Sequence, residues 1–279
     1  MPAPAYVHLR LHSEYSITDG LTRVDAAVGQ AQKDGMGAMA LSDLSNLFGM
    51  VKFYKAARGK GIKPVIGADV WISNPEDRDK PSRVILLCAS NEGYLRLCEL
   101  LSRAWLTNQH RGRAELDKAW FREGTGGLIV LSGLLAGPGA GDIAQALAAG
   151  NPGLAETLAN EWAMLFPNRF YIEVQRPQGG AGKHSPSEPQ LRRIVALANQ
   201  VKLPVVATHP IEFSSAEEFR AHEARVCIAE GYVLGDQRRP RVYSEDQYSR
   251  PRPRWQSCSP TCPARSPTAW RSPSAAISP

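Results

Sequence analysis

Short apolar runs that alternate with amphipathic stretches limit how this chain can fold more than any other feature of the sequence. Seven runs have the length and β-branched content of buried strands. They lie at residues 6–11, 38–41, 63–72, 84–88, 128–131, 170–174 and 204–207. Helical stretches lie at residues 23–33, 50–58, 93–105, 143–149, 154–165, 191–201 and 216–230. This order is typical of a parallel sheet or barrel of strand–helix units.

The position of the polar residues favours one of these two architectures. They gather just after the predicted strands, which is typical of a barrel whose site opens at the C-terminal ends of its strands. A doubly wound open sheet is the main alternative. A glycine-rich stretch at 133–141 has neither of the common phosphate-loop motifs, so the sequence argues against a nucleotide loop there.

The positive charge of the chain is concentrated near its end. The formal net charge is +6, yet residues 250–279 contain five arginines and no acidic residue. The preceding part is therefore nearly neutral, which argues against a basic nucleic-acid-binding surface on it. No signal peptide, long apolar span or paired cysteine framework is evident, so we expect a soluble cytoplasmic protein without a membrane segment.

The last part of the chain also differs in composition. Residues 250–279 contain seven prolines and six serines, without apolar periodicity. We expect one domain over 1–249 and a disordered Arg/Pro/Ser-rich tail over 250–279. With suitable codons, a shifted reading frame across 254–262 and 269–276 reads as charged, amphipathic helical peptides. We therefore hypothesise that the tail is out of frame, and a tail that binds nucleic acid nonspecifically is the alternative.

Several polar residues at the ends of predicted strands could perform chemistry. Alternation along the first strand places its two histidines and an arginine on one face. Each residue taken singly is expected to be a structural hydrogen-bonding residue or a helix cap. A hydrolytic site with two or three metal ions needs several such ligands at one place, and the chain has six histidines. The candidates are His8, Arg10, His12, Asp19, Asp43, Asp69 and His209.

Residues 5–249 resemble the start of the alpha subunit of bacterial DNA polymerase III. The resemblance implies an N-terminal PHP (polymerase and histidinol phosphatase) domain, an α/β fold of the distorted (β/α)7 TIM-like barrel type. It also implies that the chain is truncated before the polymerase active site. The matching blocks are His8 to Gly20, Ser42-Asp43-x-x-Asn46-Leu47-Phe48-Gly49, Val51-Lys52-Phe53-Tyr54, Gly61 to Asp69, Asn91-Glu92-Gly93-Tyr94, Val205-Val206-Ala207-Thr208, Ala221-His222-Glu223-x-Arg225-Val226 and Arg239-Pro240-Arg241-x-Tyr243-Ser244.

The sequence departs from the metal-binding members of that family. Those members carry His-x-His after the first strand, Asp-His after the second and Glu after the third. Here Arg10 takes the place of the first His, Leu44 follows Asp43 in place of His, and Asp69 takes the place of Glu. A His near the fourth strand and a late Asn-Asp-x-His motif are also altered. The positions of this vestigial metal site are His8, Arg10, His12, Asp19, Asp43, Leu44, Asp69, Arg83, His209 and Glu212.

These departures lead us to expect neither a bound metal nor another cofactor. A permanent cation at Arg10 opposes the binding of a divalent ion. We expect Arg10 to pair with Asp19, Asp43 or Asp69 in a salt-bridged cluster that supports the barrel. His12, Asp19 and Asp43 remain as residual metal-ligand candidates. In the complete polymerase, the resemblance implies Mg²⁺ as the cofactor.

Two functions remain open at this point. The first is a structural and interaction domain that braces the rest of the alpha subunit and helps dock the proofreading exonuclease (epsilon) subunit. In that case the parent protein performs template-directed 5′ to 3′ DNA synthesis, and DNA is contacted only through the complete polymerase. The alternative is an enzyme: a metal-dependent phosphoesterase or 3′ to 5′ exonuclease within the barrel. The expected loss of metal ligands favours the first.

Overall fold

The computed structural model describes residues 6–137, 139–175 and 186–249, so the predicted tail lies outside the described residues. The strands are β1 (Ala38–Leu41), β2 (Lys63–Ile72), β3 (Ser82–Cys88), β4 (Gln109–His110), β5 (Arg113–Leu116), β6 (Leu128–Leu131), β7 (Phe170–Val174) and β8 (Val205–Ala207). The α-helices are α1 (Val24–Lys33), α2 (Met50–Gly59), α3 (Asn91–Thr107), α4 (Asp142–Ala148), α5 (Pro152–Leu165), α6 (Glu188–Gln200) and α7 (Phe219–Glu230). Two short 3-10 helices lie at Lys118–Glu123 and Ala216–Glu218.

All eight strands belong to one mixed sheet. Its order is β4-β5-β2-β3-β6-β7-β8, and β1 pairs with β2. The long β2 runs parallel to β1 through its first half and parallel to β5 through its last two residues. Strand β3 is antiparallel to β2 and β6, whereas β6, β7 and β8 are mutually parallel. No helix separates β2 from β3, so the chain returns directly and the pair cannot be parallel.

The sheet is not closed by paired strands, and residues 8–12 bridge its two ends. The N–H of Ala40 donates to the His8 carbonyl at 2.8 Å, which joins this segment to β1. The N–H of His12 donates to the Ile211 carbonyl at 2.8 Å, just after β8, and Leu11 forms an isolated bridge with Ile211. The strand predicted at 6–11 is therefore reduced to a bridged segment. The α/β class predicted from the sequence is confirmed.

The sheet is buried on both faces. Along β3, Val84 and Leu86 join the cluster that packs against α3 to α6, whereas Ile85 and Leu87 join a second cluster with Leu131. All five side chains are fully buried, and burial of one such side chain contributes about 1.5–3 kcal/mol. The inner cluster shows that the curved sheet encloses its own core. Among the described residues, no helix is long and apolar enough to span a bilayer.

Candidate functional site

The alternation of side chains along the strands delivers charged groups to the inner face of the sheet. In β2, Ala68 and Val70 pack against the outer helices, so Asp69 between them faces inward. In the same way Arg83 of β3 and Glu173 of β7 lie on the inner face, and both are buried. The bridging segment 8–12 adds its own side chains from the open end of the sheet. We call the resulting group the ion cluster. Its members are Arg10, His12, Asp19, Asp69, Arg83, Glu173 and Glu212.

Arg10 is held between two carboxylates. Its Nη1 donates to Asp69, its Nε donates to Glu173 Oε1 at 3.0 Å, and its Nη2 donates to Glu173 Oε2 at 3.2 Å. The fork-shaped contact with Glu173 is the strong bidentate form of an arginine–carboxylate pair. The predicted pairing of Arg10 with Asp69 is confirmed. Glu173 was missed, although a lone acid inside the apolar run of β7 is a signal that could have found it.

Arg83 binds the same Asp69 from the other side. Its Nη2 and Nε donate to Asp69 Oδ2 and Oδ1 at 2.6 and 3.1 Å, and its Nη2 lies 3.8 Å from Asp19 Oδ2. Burial alone would raise the pKa of the Asp69 carboxyl. The two neighbouring guanidinium groups, that of Arg10 first, outweigh burial and hold this pKa well below its usual range. Asp69 is therefore a permanent anion between two permanent cations.

The imidazole of His12 is surrounded by three carboxylates. Its Nδ1 lies 2.9 Å from Asp19 Oδ1 and 3.0 Å from Glu212 Oε2, and its Nε2 lies 3.3 Å from Asp69 Oδ2. Burial lowers the pKa of His12, but the carboxylates raise it more, so it lies well above its ordinary value. Conversely, although burial opposes ionisation of Asp19, His12 and other neighbours lower the Asp19 pKa to about 2. His12 is consequently an imidazolium at neutral pH.

Asp43 and Leu44 have a different role from the cluster. Asp43 accepts hydrogen bonds from the backbone N–H and the hydroxyl of Ser13, at 2.7 and 3.0 Å. Burial raises the pKa of Asp43 to about 6, partly offset by these hydrogen bonds. Leu44 forms an isolated bridge with Asp69 through the backbone. Asp43 thus fixes the turn that follows the bridging segment, and it does not pair with Arg10.

The remaining two predicted histidines make contacts of their own. Burial lowers the pKa of His8 to about 3, so His8 is neutral, and its ring packs edge-on against Tyr6 at 5.0 Å between ring centroids. His209 donates from Nε2 to the backbone carbonyl of Tyr248 at 3.1 Å. These contacts are those of structural histidines.

The ion cluster contains one group of side chains that could hold a metal ion. His12, Asp19 and Glu212 each offer a ligand atom, and these atoms lie within 4.8 Å of one another. The Asp19 and Glu212 carboxylates both approach the same nitrogen of His12, Nδ1, at 2.9 and 3.0 Å, so they bind the imidazole itself. Nearby, Arg10 and Arg83 already neutralise Asp69. The residues present therefore do not fit a hydrolytic centre of two or three metal ions.

A large apolar groove lies beside the ion cluster. Its volume is about 850 Å³, and Leu44 and Trp71 line it. The Trp71 ring also contacts the guanidinium groups of Arg83 and Arg113, whose central carbons lie 5.1 and 5.5 Å from the ring centroid. Trp71 thus lines the groove and also contacts Arg83 of the ion cluster, so the groove and the cluster are adjacent. Other groove residues are Ile17, Phe48, Leu101, Trp105 and Leu106.

A solved amidohydrolase structure from Chromobacterium violaceum, with bound sulfate and no metal, is 15% identical to this chain. Its TM-score is 0.48, and the comparison covers 79% of this chain and 97% of that one.

Curated relatives are more similar in sequence. DNA polymerase III subunit alpha of Pseudomonas fluorescens is 45% identical over 248 residues, which cover 89% of this chain and 20% of the relative. The same subunit of Escherichia coli (strain K12) is 39% identical over 250 residues, covering 90% and 21%. The chain thus spans about a fifth of the length of these relatives. The PHP domain family matches residues 8–177. The chain therefore belongs to the PHP domain family.

Proposed function

We propose that this chain is the N-terminal PHP domain of a replicative DNA polymerase III alpha subunit and serves it as a structural and interaction domain. One observation supports the proposal most directly: the buried guanidinium groups of Arg10 and Arg83 both bind Asp69, a carboxylate on the inner face of the sheet. In this chain, arginine side chains bind carboxylates that a hydrolytic PHP domain would need to bind its metal ions. Template-directed DNA synthesis, with Mg²⁺, then belongs to the complete subunit in the cytoplasm.

The proposal predicts that the chain hydrolyses no phosphate ester. With a chromogenic phosphomonoester and Mg²⁺, Mn²⁺ or Zn²⁺, we expect the rate to equal that of the metal alone, because Arg10, Arg83 and His12 bind the carboxylates that would have to hold the metal ion. The matched control is Asp19→Asn, which removes one ligand of the His12, Asp19 and Glu212 group. A metal-dependent rate in the unmodified protein that Asp19→Asn abolishes would establish the phosphoesterase alternative instead.

We further propose that the domain helps dock the proofreading exonuclease subunit. The groove beside the ion cluster supports this, because exposed contiguous apolar surface marks interaction sites on soluble proteins. Phe48 and Leu106 line the groove with 65% and 83% of their surfaces exposed. Trp105 is partly exposed beside them, and its Nε1 donates to the Ser45 carbonyl at 2.8 Å, which fixes the orientation of its ring.

Leu106→Glu is expected to weaken binding of the purified exonuclease subunit about tenfold or more, since it places a charge in an apolar contact. The matched control is Ile228→Glu on α7, where the isoleucine is also 83% exposed but lies outside the groove. Titration calorimetry gives both affinities. Equal affinities for the two variants would show that the groove does not dock this partner.

We also propose the domain boundary at residues 249 and 250, with an out-of-frame tail over 250–279. The loss of apolar periodicity and acidic residues at this point supports the proposal. Sequencing of the coding DNA across this boundary tests it, and codons that give no open shifted frame would contradict it.

A further inference from the structure

We propose that the ion cluster holds residues 241–249 in place as a strap, so that breaking the cluster releases this segment while the sheet stays folded. The inference rests on the proposed structural role of the cluster and names a specific segment that this role serves.

The strap lies along the segment that follows β8. The backbone N–H of Glu212 donates to the Gln247 carbonyl at 2.9 Å, and the N–H of Ser249 donates to the Phe213 carbonyl at 3.3 Å. Phe213 and Tyr248 form an isolated bridge. The strap is thus paired with the chain at the end of the sheet where the bridging segment 8–12 also binds.

Two residues of the ion cluster bind the strap directly. The Tyr243 hydroxyl lies 3.5 Å from Asp19 Oδ2, the far oxygen of the carboxylate that contacts His12. Glu212 contacts His12 through its carboxylate and the strap through its backbone N–H. The His222 ring packs edge-on against Tyr243, with ring centroids 4.7 Å apart, and donates from Nε2 to the Asp19 carbonyl at 2.7 Å. Asp19 is therefore bound on three sides, by the cluster, the strap and α7.

The strap is only partly buried. None of its residues belongs to a helix or a regular strand, and none is fully buried, whereas β6 is buried along its whole length. Segments with few buried apolar contacts open at lower free energy than core strands. The contact of Tyr243 with Asp19 therefore adds a side-chain bond to the backbone pairing and to the bond from His209 to the Tyr248 carbonyl. The chain continues from residue 249, so the cluster also fixes the point from which the following residues start.

Hydrogen–deuterium exchange of the full chain tests this inference, with limited trypsin cleavage after Arg241 as a second readout. We expect Asp19→Asn to raise exchange in 241–249 about tenfold, the effect of losing one hydrogen bond to a charged group. Tyr243→Phe removes only the hydroxyl contact and should raise it less. Exchange in β6 should stay unchanged in both variants. The matched control is Glu115→Gln, which alters a fully buried carboxylate that is bound by Arg78 and Arg113 outside the cluster.

Unchanged strap exchange in both variants would overturn the inference, and so would an equal increase in β6 and the strap. If Asp19→Asn does not fold, Tyr243→Phe decides alone. The same increase in the strap with Glu115→Gln would also contradict it, since that change leaves the cluster intact. A different experiment tests the proposed function: metal-dependent hydrolysis by the unmodified protein would contradict that function without bearing on the strap.

Discussion

Arg10→Ala is expected to lower the free energy of unfolding by about 3–5 kcal/mol, because it leaves buried carboxylates without their partner. Asp69 and Glu173 are both fully buried, and Arg10 binds each of them. Asp69 retains Arg83, whereas Glu173 retains the Thr208 hydroxyl, a neutral donor. Most of the loss therefore comes from Glu173. Urea unfolding followed by circular dichroism measures the change.

Two further variants calibrate this result. Arg238→Ala removes an arginine that is 88% exposed and pairs with Asp236 at 2.9 Å, and we expect no measurable change in stability. Arg10→Lys keeps the charge but cannot form the bidentate contact with Glu173, so its stability should lie between those of the unmodified protein and Arg10→Ala. If Arg10→Ala is as stable as Arg238→Ala, the cluster does not support the fold.

The protein is expected to become less stable as the pH rises above 7. His12 has a pKa raised well above its ordinary value, because three carboxylates outweigh its burial. A raised histidine pKa contributes fully below the unfolded pKa of about 6.5, and its contribution is lost as the pH rises through the folded pKa. We expect a loss of about 1.4 kcal/mol per pH unit in this range. Urea unfolding at a series of pH values from 6 to 9 measures the slope.

Other titrating groups of the site act at lower pH. Asp43, with a pKa raised to about 6, also makes stability fall with rising pH, but chiefly below pH 6. Asp19 and Asp69 have lowered pKa values, so their contribution is present above pH 4 and is lost as the pH falls further. Above pH 7, the change in the free energy of unfolding that comes from these groups therefore reports the titration of His12.

The control for this pH dependence is a second histidine. His12→Asn should abolish the slope, whereas His110→Gln should keep it, because His110 contacts Asp79, which is not a member of the ion cluster, and makes none of the contacts that surround His12. A slope that survives in His12→Asn would assign the pH dependence to another group.

Much of the fold was predictable because most of its strands can be recognised from short apolar runs in the local sequence. The bounds of β1, β2, β6 and β7 agree with the predicted runs, since each is a mainly apolar stretch. The hairpin of β4 and β5 was missed because its two and four residues are too short and polar to show periodicity. The run at 6–11 was predicted as a strand because its side chains alternate, yet its pairing with Ile211 depends on a partner about 200 positions away.

The site was predictable only in part for the same reason. Arg10 was expected to pair with a carboxylate, since it takes the place of a metal-binding histidine in the family it resembles, and Asp69 provides one. Periodicity assigns Glu173 to a face of β7, but not to the neighbourhood of Arg10, which is 163 positions earlier. Glu212 was named as a position of the site without a partner, and the curvature of the sheet brings it to His12. Which inner-face side chains meet depends on how the whole sheet curves rather than on any one strand.

Titration of Mn²⁺ into the metal-free protein tests most directly whether the ion cluster has replaced a metal centre. Calorimetry should show no saturable binding, and the Tm should not rise with metal, because an ion that binds the folded state must stabilise it. Saturable binding with a rise in Tm, both lost in Asp19→Asn, would contradict the account. It would show that His12, Asp19 and Glu212 give up their ion pairs to hold a metal.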